Sequence, residues 1–419
     1  MRARTRVATA VIVAVATAAA FVLPAGSATA ADSGDRTGVT STEIRVGGIV
    51  GKTNPTGRAY DDAFKGVQAY FDMVNAKGGV FGHKLKIVAQ LDDQSQASRN
   101  VQGVRSLVEE KKVFAVLPVA TIVFAGATYL VQKGVPTFGW NINPEWMKGP
   151  NLFGQRGSYT CFDCAQPWLA YVAKQAGAKK AAVLSYTTPS SADCAKGEVA
   201  TFKKYGIDIG WQDTSLAFGF TDLSTDVQHM KDAGVNFVAT CMDVNGNINV
   251  GKALKQAGVD GVTIYSPEGY DPAIMKKFAK DLEGYRFGSD FVPFEAAKDS
   301  KGMTTFINAM KKKGYKPNEL ELAGWIDADL LVRGIKASGK NFTRQSVIDN
   351  INKITDYTAN GILAPVDWTI AHTGDGPLLC TATLEAKSGK FVPILGQPGK
   401  PFVCFPNPRP DTVDSPTFR

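Results

Sequence analysis

Six cysteines, several hydroxyl and amide side chains at the ends of apolar segments, and one glycine-rich loop are the groups in this 419-residue sequence whose spacing could do chemistry. Cys161 and Cys164 have the C-x-x-C spacing, with Cys194 and Cys241 following and Cys380 and Cys404 near the C-terminus. Four thiols in one region can form two disulfides, hold a tetrahedral metal ion, or exchange disulfides with a partner through the C-x-x-C pair. An even count favours disulfides in an oxidising compartment, but four cysteines allow three pairings and the spacing selects none. Cys380 and Cys404 remain as a third pair, which would pin the C-terminal tail to the last strands. The glycine-rich run Gly47-Gly-Ile-Val-Gly51-Lys52-Thr53 falls short of a phosphate-binding loop: the glycine needed five residues before Gly51 is Val46. His83, His229 and His372 are far apart, and no pair of carboxylates can be placed in one pocket for acid–base work. Neither a G-x-S-x-G elbow nor an H-E-x-x-H helix is present. The sequence offers groups that bind and no set that catalyses, and neither a metal nor a cofactor is expected.

Those groups need elements to position them. Residues 44–50, 85–91, 113–117 and 135–138 are short apolar strands, and between them Phe64, Val67, Phe71 and Val74, then Val101, Val104 and Val108, recur at helical spacing. The same grammar restarts near Cys161: a helix over 163–175, then strands at 181–186, 207–211, 237–241 and 262–266 with helices between them. Asp271-Pro272 caps and opens the helix after the last. Strands alternating with helices imply an α/β fold with parallel sheets covered on both faces, here twice over. Past Tyr285 the order changes to helices at 300–313, 320–337 and 344–354, then strand-like segments at 366–370, 378–385 and 391–395. The tail over 396–419, with six prolines, is expected to run extended over the surface.

In open α/β sheets a ligand sits beyond the carboxyl ends of the strands. That rule selects the loops carrying Thr53 and Asn54, Ala120 and Thr121, and Trp140 and Asn141 in the first half, and Ser190, Asp243, Glu268 and Tyr270 in the second. Trp325 is added as a ring suited to an apolar, aromatic or cationic ligand.

The N-terminus reads as a secretory signal peptide over 1–30: Arg2, Arg4 and Arg6, an apolar run to Leu23, and Ala28-Thr29-Ala30 before the cut. No cysteine lies near that point, so a lipoprotein anchor is not expected, and the mature chain should be exported to the periplasm or cell surface. Without the three arginines the 47 basic residues become 44 against 39 acidic ones. A charge of about +5, dispersed along the chain, gives no nucleic-acid footprint.

The run Phe71-Asp-Met-Val-Asn-Ala-Lys-Gly-Gly-Val-Phe-Gly-His-Lys-Leu85, the strand end Leu91-Asp-Asp-Gln-Ser95, Gly134-Val-Pro136 and Ser266-Pro-Glu-Gly-Tyr-Asp271 resemble, in order, the leucine/isoleucine/valine-type solute-binding proteins of ABC transporters. The resemblance covers about residues 43–395 and implies the type I periplasmic-binding fold: two doubly wound lobes joined by a three-strand hinge. It places lobe 1 at 43–157 plus 288–365 and lobe 2 at 158–287 plus 366–395, with crossings near Gly157, near Tyr285 and over 363–378. It further implies that Ala120, Thr121, Trp140 and Asn141 hold a ligand carboxylate while Glu268 meets its ammonium. Three features depart from the family pattern: one hydroxyl is missing at Leu117-Pro-Val-Ala-Thr121, the S-x-(S/T) segment reads Gly139-Trp140-Asn141 and brings a large ring, and the tyrosine usual in the second lobe's first cleft loop is not evident around residues 190–192. The expected protein is a monomeric, non-enzymatic carrier of a small molecule, an amino acid or another carboxylate or aromatic compound, that docks on a membrane permease. Two rivals are a ligand sensor of the same fold docking on a receptor, and a thiol oxidoreductase using a free thiol at Cys161 or Cys164.

Overall fold

The computed structural model describes residues 34–373 and 378–419. The expected signal peptide lies outside them. The first half builds β1 (Glu43–Val50), α1 (Asp62–Ala76), β2 (Lys84–Asp92), α2 (Ala97–Arg105), β3 (Ala115–Ala120), α3 (Ala127–Gln132), β4 (Thr137–Gly139) and β5 (Leu152–Gly154). Its five strands are all parallel, in the order β2-β1-β3-β4-β5. β3 is buried at every position, as a strand covered on both faces must be. Ile49, Val116 and Val119 pack with Val104 and Leu107 on one side, while Val46 and Leu117 join α1's Val67 and Phe71 on the other.

The second half builds α4 (Pro167–Gln175), β6 (Lys180–Tyr186), α5 (Pro189–Lys204), β7 (Asp208–Leu216), α6 (Ser224–Ala233), β8 (Phe237–Cys241), α7 (Val244–Gln256), β9 (Thr263–Ser266), α8 (Pro272–Phe278) and β10 (Arg286–Ser289). Its parallel strands run β7-β6-β8-β9-β10, which repeats the first sheet's order with new strands. Asp271 accepts from the Ala273 and Ile274 N–H groups and so starts α8 where Asp-Pro predicts.

The chain then returns to the first body as α9 (Lys301–Lys312), α10 (Glu319–Ser338) and α11 (Arg344–Ile351), and comes back as β11 (Leu379–Lys387), β12 (Lys390–Ile394), β13 (Val403–Phe405) and β14 (Thr417–Phe418). α10 lies flat on α1 because two glycines let the backbones meet: a Cβ on Gly66 would stand 1.7 Å from the Glu321 carbonyl oxygen, and one on Gly324 1.9 Å from that of Ala63.

Several elements differ from expectation for local reasons. The helix expected from residue 163 starts at Pro167, because a Cys161–Cys164 disulfide closes the segment before it and proline takes the first helical turn. The strand expected over 366–370 is a turn: Val366 makes one bridge with Tyr357, and Trp368 buries its ring 5.2 Å from Phe153. The second passage between the sheets follows Ser289 and not Tyr285, since β10 still pairs with β9 and β11. The proline-rich tail is not draped over the surface: β13 pairs with β11, β14 with β13, and Phe402, Phe405 and Val413 are buried.

Candidate ligand-binding cleft

In each sheet the order reverses at one place, between β1 and β3 in the first and between β6 and β8 in the second, so a crevice opens at their carboxyl ends. The loops beyond these ends meet. Arg58, on the β1–α1 loop, sets its guanidinium 3.4 Å from the Glu268 carboxylate of the β9–α8 loop and 2.8 Å from Glu319 at the start of α10. Its guanidinium carbon also lies 5.0 Å from the centre of the Trp140 ring, and Tyr60 packs on that ring at 5.4 Å. Burial pulls Arg58 down, but Glu268 and Glu319 more than offset it and hold the group above its ordinary value. Burial raises Glu268, Arg58 opposes it, and Glu319 and Asp243 add to the rise. The Tyr60 hydroxyl is pushed up to about 12 by burial first and then by Glu268.

The side chains singled out in the sequence fall into three groups. Trp140 and Glu268 stand at the meeting point just described. Thr53, Asn54, Ala120, Thr121 and Asn141 shape its first wall from beneath. Asn54 donates to the carbonyls of Gly51 and Arg58, both at 2.8 Å, and so folds the loop that carries the arginine. Thr53 donates to Asp92 at 2.8 Å. Ala120, the last residue of β3, accepts from the Gly51 N–H, and Thr121 is buried and accepts from the Val123 N–H. Asn141 donates to the Gly157 carbonyl at 2.6 Å and accepts from Arg156, which pairs with Asp290 at 2.8 Å.

On the opposite wall Asp243 accepts from the Tyr186 hydroxyl at 2.6 Å and caps α7 through the Gly246 N–H, while Ser190 is exposed in the first turn of α5. Phe218, 46% exposed, leans on Tyr186 at 5.0 Å and leaves an apolar rim there. Tyr270 and Trp325 are packed among other rings, and Glu319 acts on the Tyr270 hydroxyl. The Tyr270 ring packs among Phe291, Phe294 and Phe391, and Trp325 is wedged between Tyr70 and Phe306.

Sequence reasoning passed over Arg58, Glu319, Tyr60, Tyr186 and Phe218. Arg58 was within reach of the strand-end rule, four residues after Asn54 in the same loop. Glu319 was not, because it arrives on a helix that reaches the cleft from a distant part of the chain.

The cysteines resolve into Cys161–Cys164, Cys194–Cys241 and Cys380–Cys404, with no free thiol. Cys161 and Cys164, the C-x-x-C pair, are bonded to each other. No helix among the described residues is long and apolar enough to cross a membrane.

No curated protein matches the chain. Solved structures do. An isoleucine complex of the branched-chain amino acid substrate-binding protein LivJ from Streptococcus pneumoniae is similar with a TM-score of 0.69, at 20% identity, over 84% of this chain and 98% of that one. A leucine-binding protein from Thermotoga maritima is similar with a TM-score of 0.68, at 16% identity, over 84% and 97%. A solute-binding protein from R. palustris in complex with 4-hydroxybenzoate gives 0.66, at 21% identity, over 84% and 95%. At these identities the likeness shows the fold, which is that of type I periplasmic-binding proteins. Residues 43–390 match the family model described as periplasmic binding protein, and the chain belongs to that family.

Proposed function

We propose that this protein is an extracytoplasmic, non-enzymatic solute-binding protein that closes two lobes on a small zwitterion of the amino-acid type, with an apolar or aromatic side chain, and delivers it to an ABC-transporter permease. The observation that carries this reading is the Arg58–Glu268 pair, one member from each wall. Each charge alone in a closed cleft costs several kcal/mol, so a ligand that parts them must compensate both. A zwitterion does so: its carboxylate takes the guanidinium, beside Ala120 and Thr121, and its ammonium takes Glu268. A plain acid leaves Glu268 without its cation. The rings of Trp140, Tyr60, Tyr186 and Phe218 offer an apolar side chain its surface. The isoleucine of the S. pneumoniae complex is a zwitterion of this kind. On this reading the two sheets with their helices are the lobes, β10 and the tail strands β13 and β14 go with the second of them, and ligand binding on both walls moves the population to the closed form that a permease reads.

The experiment is a thermal-shift screen of the mature protein with isoleucine, phenylalanine and their counterparts lacking the amine. The amino acids should raise the melting temperature and the des-amino acids should not. Equal stabilisation by both kinds would overturn the zwitterion assignment, and docking on a receptor with no permease partner would overturn the transport step.

A further inference from the structure

A second cavity lies behind the crossing segments, with a volume of about 330 Å³, inside the range of small-molecule sites. None of the residues singled out for the cleft lines it. Glu198, on α5, does, and it is only 5% exposed. Its Oε2 makes no hydrogen bond among the described residues, and no arginine or lysine answers it. Thr160, 8% exposed on the first crossing segment, lines the same cavity with its hydroxyl also unpartnered. An unpaired carboxyl and an unpaired hydroxyl in one cavity are costly unless something else meets them. The rings of Trp168 and Tyr265, 5.8 Å apart, form an apolar wall.

The other charges on the cavity are already engaged. Arg156 pairs with Asp290 at 2.8 Å, and Arg409 donates to the Ala165 carbonyl. Glu198 is thus the one lining carboxylate with no cation beside it among the described residues, and burial alone holds its carboxyl well above the usual range.

We infer that this cavity is a second binding site, for a small primary ammonium with an aromatic or aliphatic body, whose nitrogen meets Glu198 and Thr160 while the body lies against Trp168 and Tyr265. The chemistry follows from what is missing: an ammonium supplies both the counter-charge and the N–H donors, and a cation beside a ring gains further. Binding the cation requires Glu198 to be ionised, so affinity rises with pH as its proton leaves. Tyr265 is the titratable group that feels Glu198, and Asp290 and Arg156 act on that same tyrosine. Of these, Arg156 and Asp290 are held as an ion pair. The inference does not rest on what the cleft binds.

The test is titration calorimetry of the mature protein with benzylamine at pH 6 and pH 8. Saturable binding, tighter at pH 8 than at pH 6, is expected, with a tenfold or greater loss in Glu198→Gln and no change in Glu268→Gln. Trp168→Ala, on the partly exposed side of α4, carries the comparison if Glu198→Gln does not fold, and is expected to weaken binding severalfold. No saturable binding overturns the proposal. So does binding that Glu198→Gln and Trp168→Ala leave intact, or binding that Glu268→Gln abolishes, which would put the amine in the cleft. Amino-acid binding by Glu198→Gln is expected to survive, which keeps the two sites distinct; its loss, in a variant that folds, would put Glu198 in the cleft's own binding and overturn the proposal.

Discussion

Arg58 and Glu268 reach toward each other from opposite walls, guanidinium and carboxylate 3.4 Å apart, with their side chains 15% and 30% exposed. Neither belongs to a strand or helix, so their meeting depends on how the two sheets face, and it shows the carboxyl ends of both sheets opening on one space. Arg58→Ala should weaken amino-acid binding at least tenfold, the loss of a charge-assisted hydrogen bond worth about 1.5–3 kcal/mol. Glu268→Gln should weaken it less, because an amide oxygen still accepts from an ammonium. Calorimetry on both variants checks the order, and an Arg58→Ala protein that binds at full affinity contradicts the role given to the guanidinium.

A second relationship joins β6 to β8 at the other reversal point. Tyr186 donates to Asp243, and the same carboxylate oxygen receives the Gly246 N–H at 3.0 Å and caps α7. Tyr186→Phe removes one donor and should cost about 1–2 kcal/mol. Asp243→Ala removes the cap as well and should cost about 1 kcal/mol more. Urea unfolding of the two variants compares them. Equal losses mean that the cap contributes nothing.

What the sequence made legible was periodic. Val67 and Phe71 of α1, and Ile44 and Val46 of β1, could be placed because a buried face repeats along its element. The alternation of strand and helix then fixed the parallel sheets, and the strand-end rule led to Trp140 and Glu268. Contacts set by tertiary packing were not legible. The pairing of Cys194 with Cys241, 47 residues apart, depends on α5 lying across β8. Val366 to Ile370 looks like a strand because Val366, Trp368 and Ile370 alternate with Asp367 and Thr369, yet the Trp368 ring is buried in a turn against Phe153. Tyr270 and Trp325 are ring-bearing positions in suggestive segments, and only the neighbouring rings reveal how each is packed.

The third disulfide binds the tail to the second sheet. Cys380 and Cys404 are direct partners in the β11–β13 ladder and close a loop of 24 residues. Cross-linking a loop of that size removes unfolded-state freedom worth about 3 kcal/mol. The double variant Cys380→Ala/Cys404→Ala should therefore lose about 3 kcal/mol in urea unfolding. It should also become cleavable by protease within residues 396–419, because β13 and β14 are otherwise held by short ladders and a few buried side chains. A tail as resistant as in the parent would show that the strands and Phe402 suffice.

Two acids buried in α10 contribute, with Glu198, to the pH dependence above neutrality. Glu321 is 1% exposed, and burial, then Asp62, push its carboxyl up to about 8 against the pull of Lys65. Asp327 is also 1% exposed, neither of its oxygens has a partner among the described residues, and burial holds it well above its ordinary value. Both lose their protons near pH 4 in the unfolded chain, so above that pH the folded state binds more protons and stability falls as pH rises, by up to about 1.4 kcal/mol per unit for each group. His372 acts in the opposite sense. Burial lowers it to about 4, the unfolded imidazole protonates near 6.5, and stability is lost as pH falls between those values. From pH 6.5 to pH 8 only the acids contribute, and the melting temperature should decline. Glu321→Gln cannot ionise, so its melting temperature relative to the parent should rise steadily from pH 5 to pH 8, and Asp327→Asn should flatten the curve in the same direction. Parent and Glu321→Gln curves that run parallel over this range would mean that Glu321 is already ionised in the folded protein.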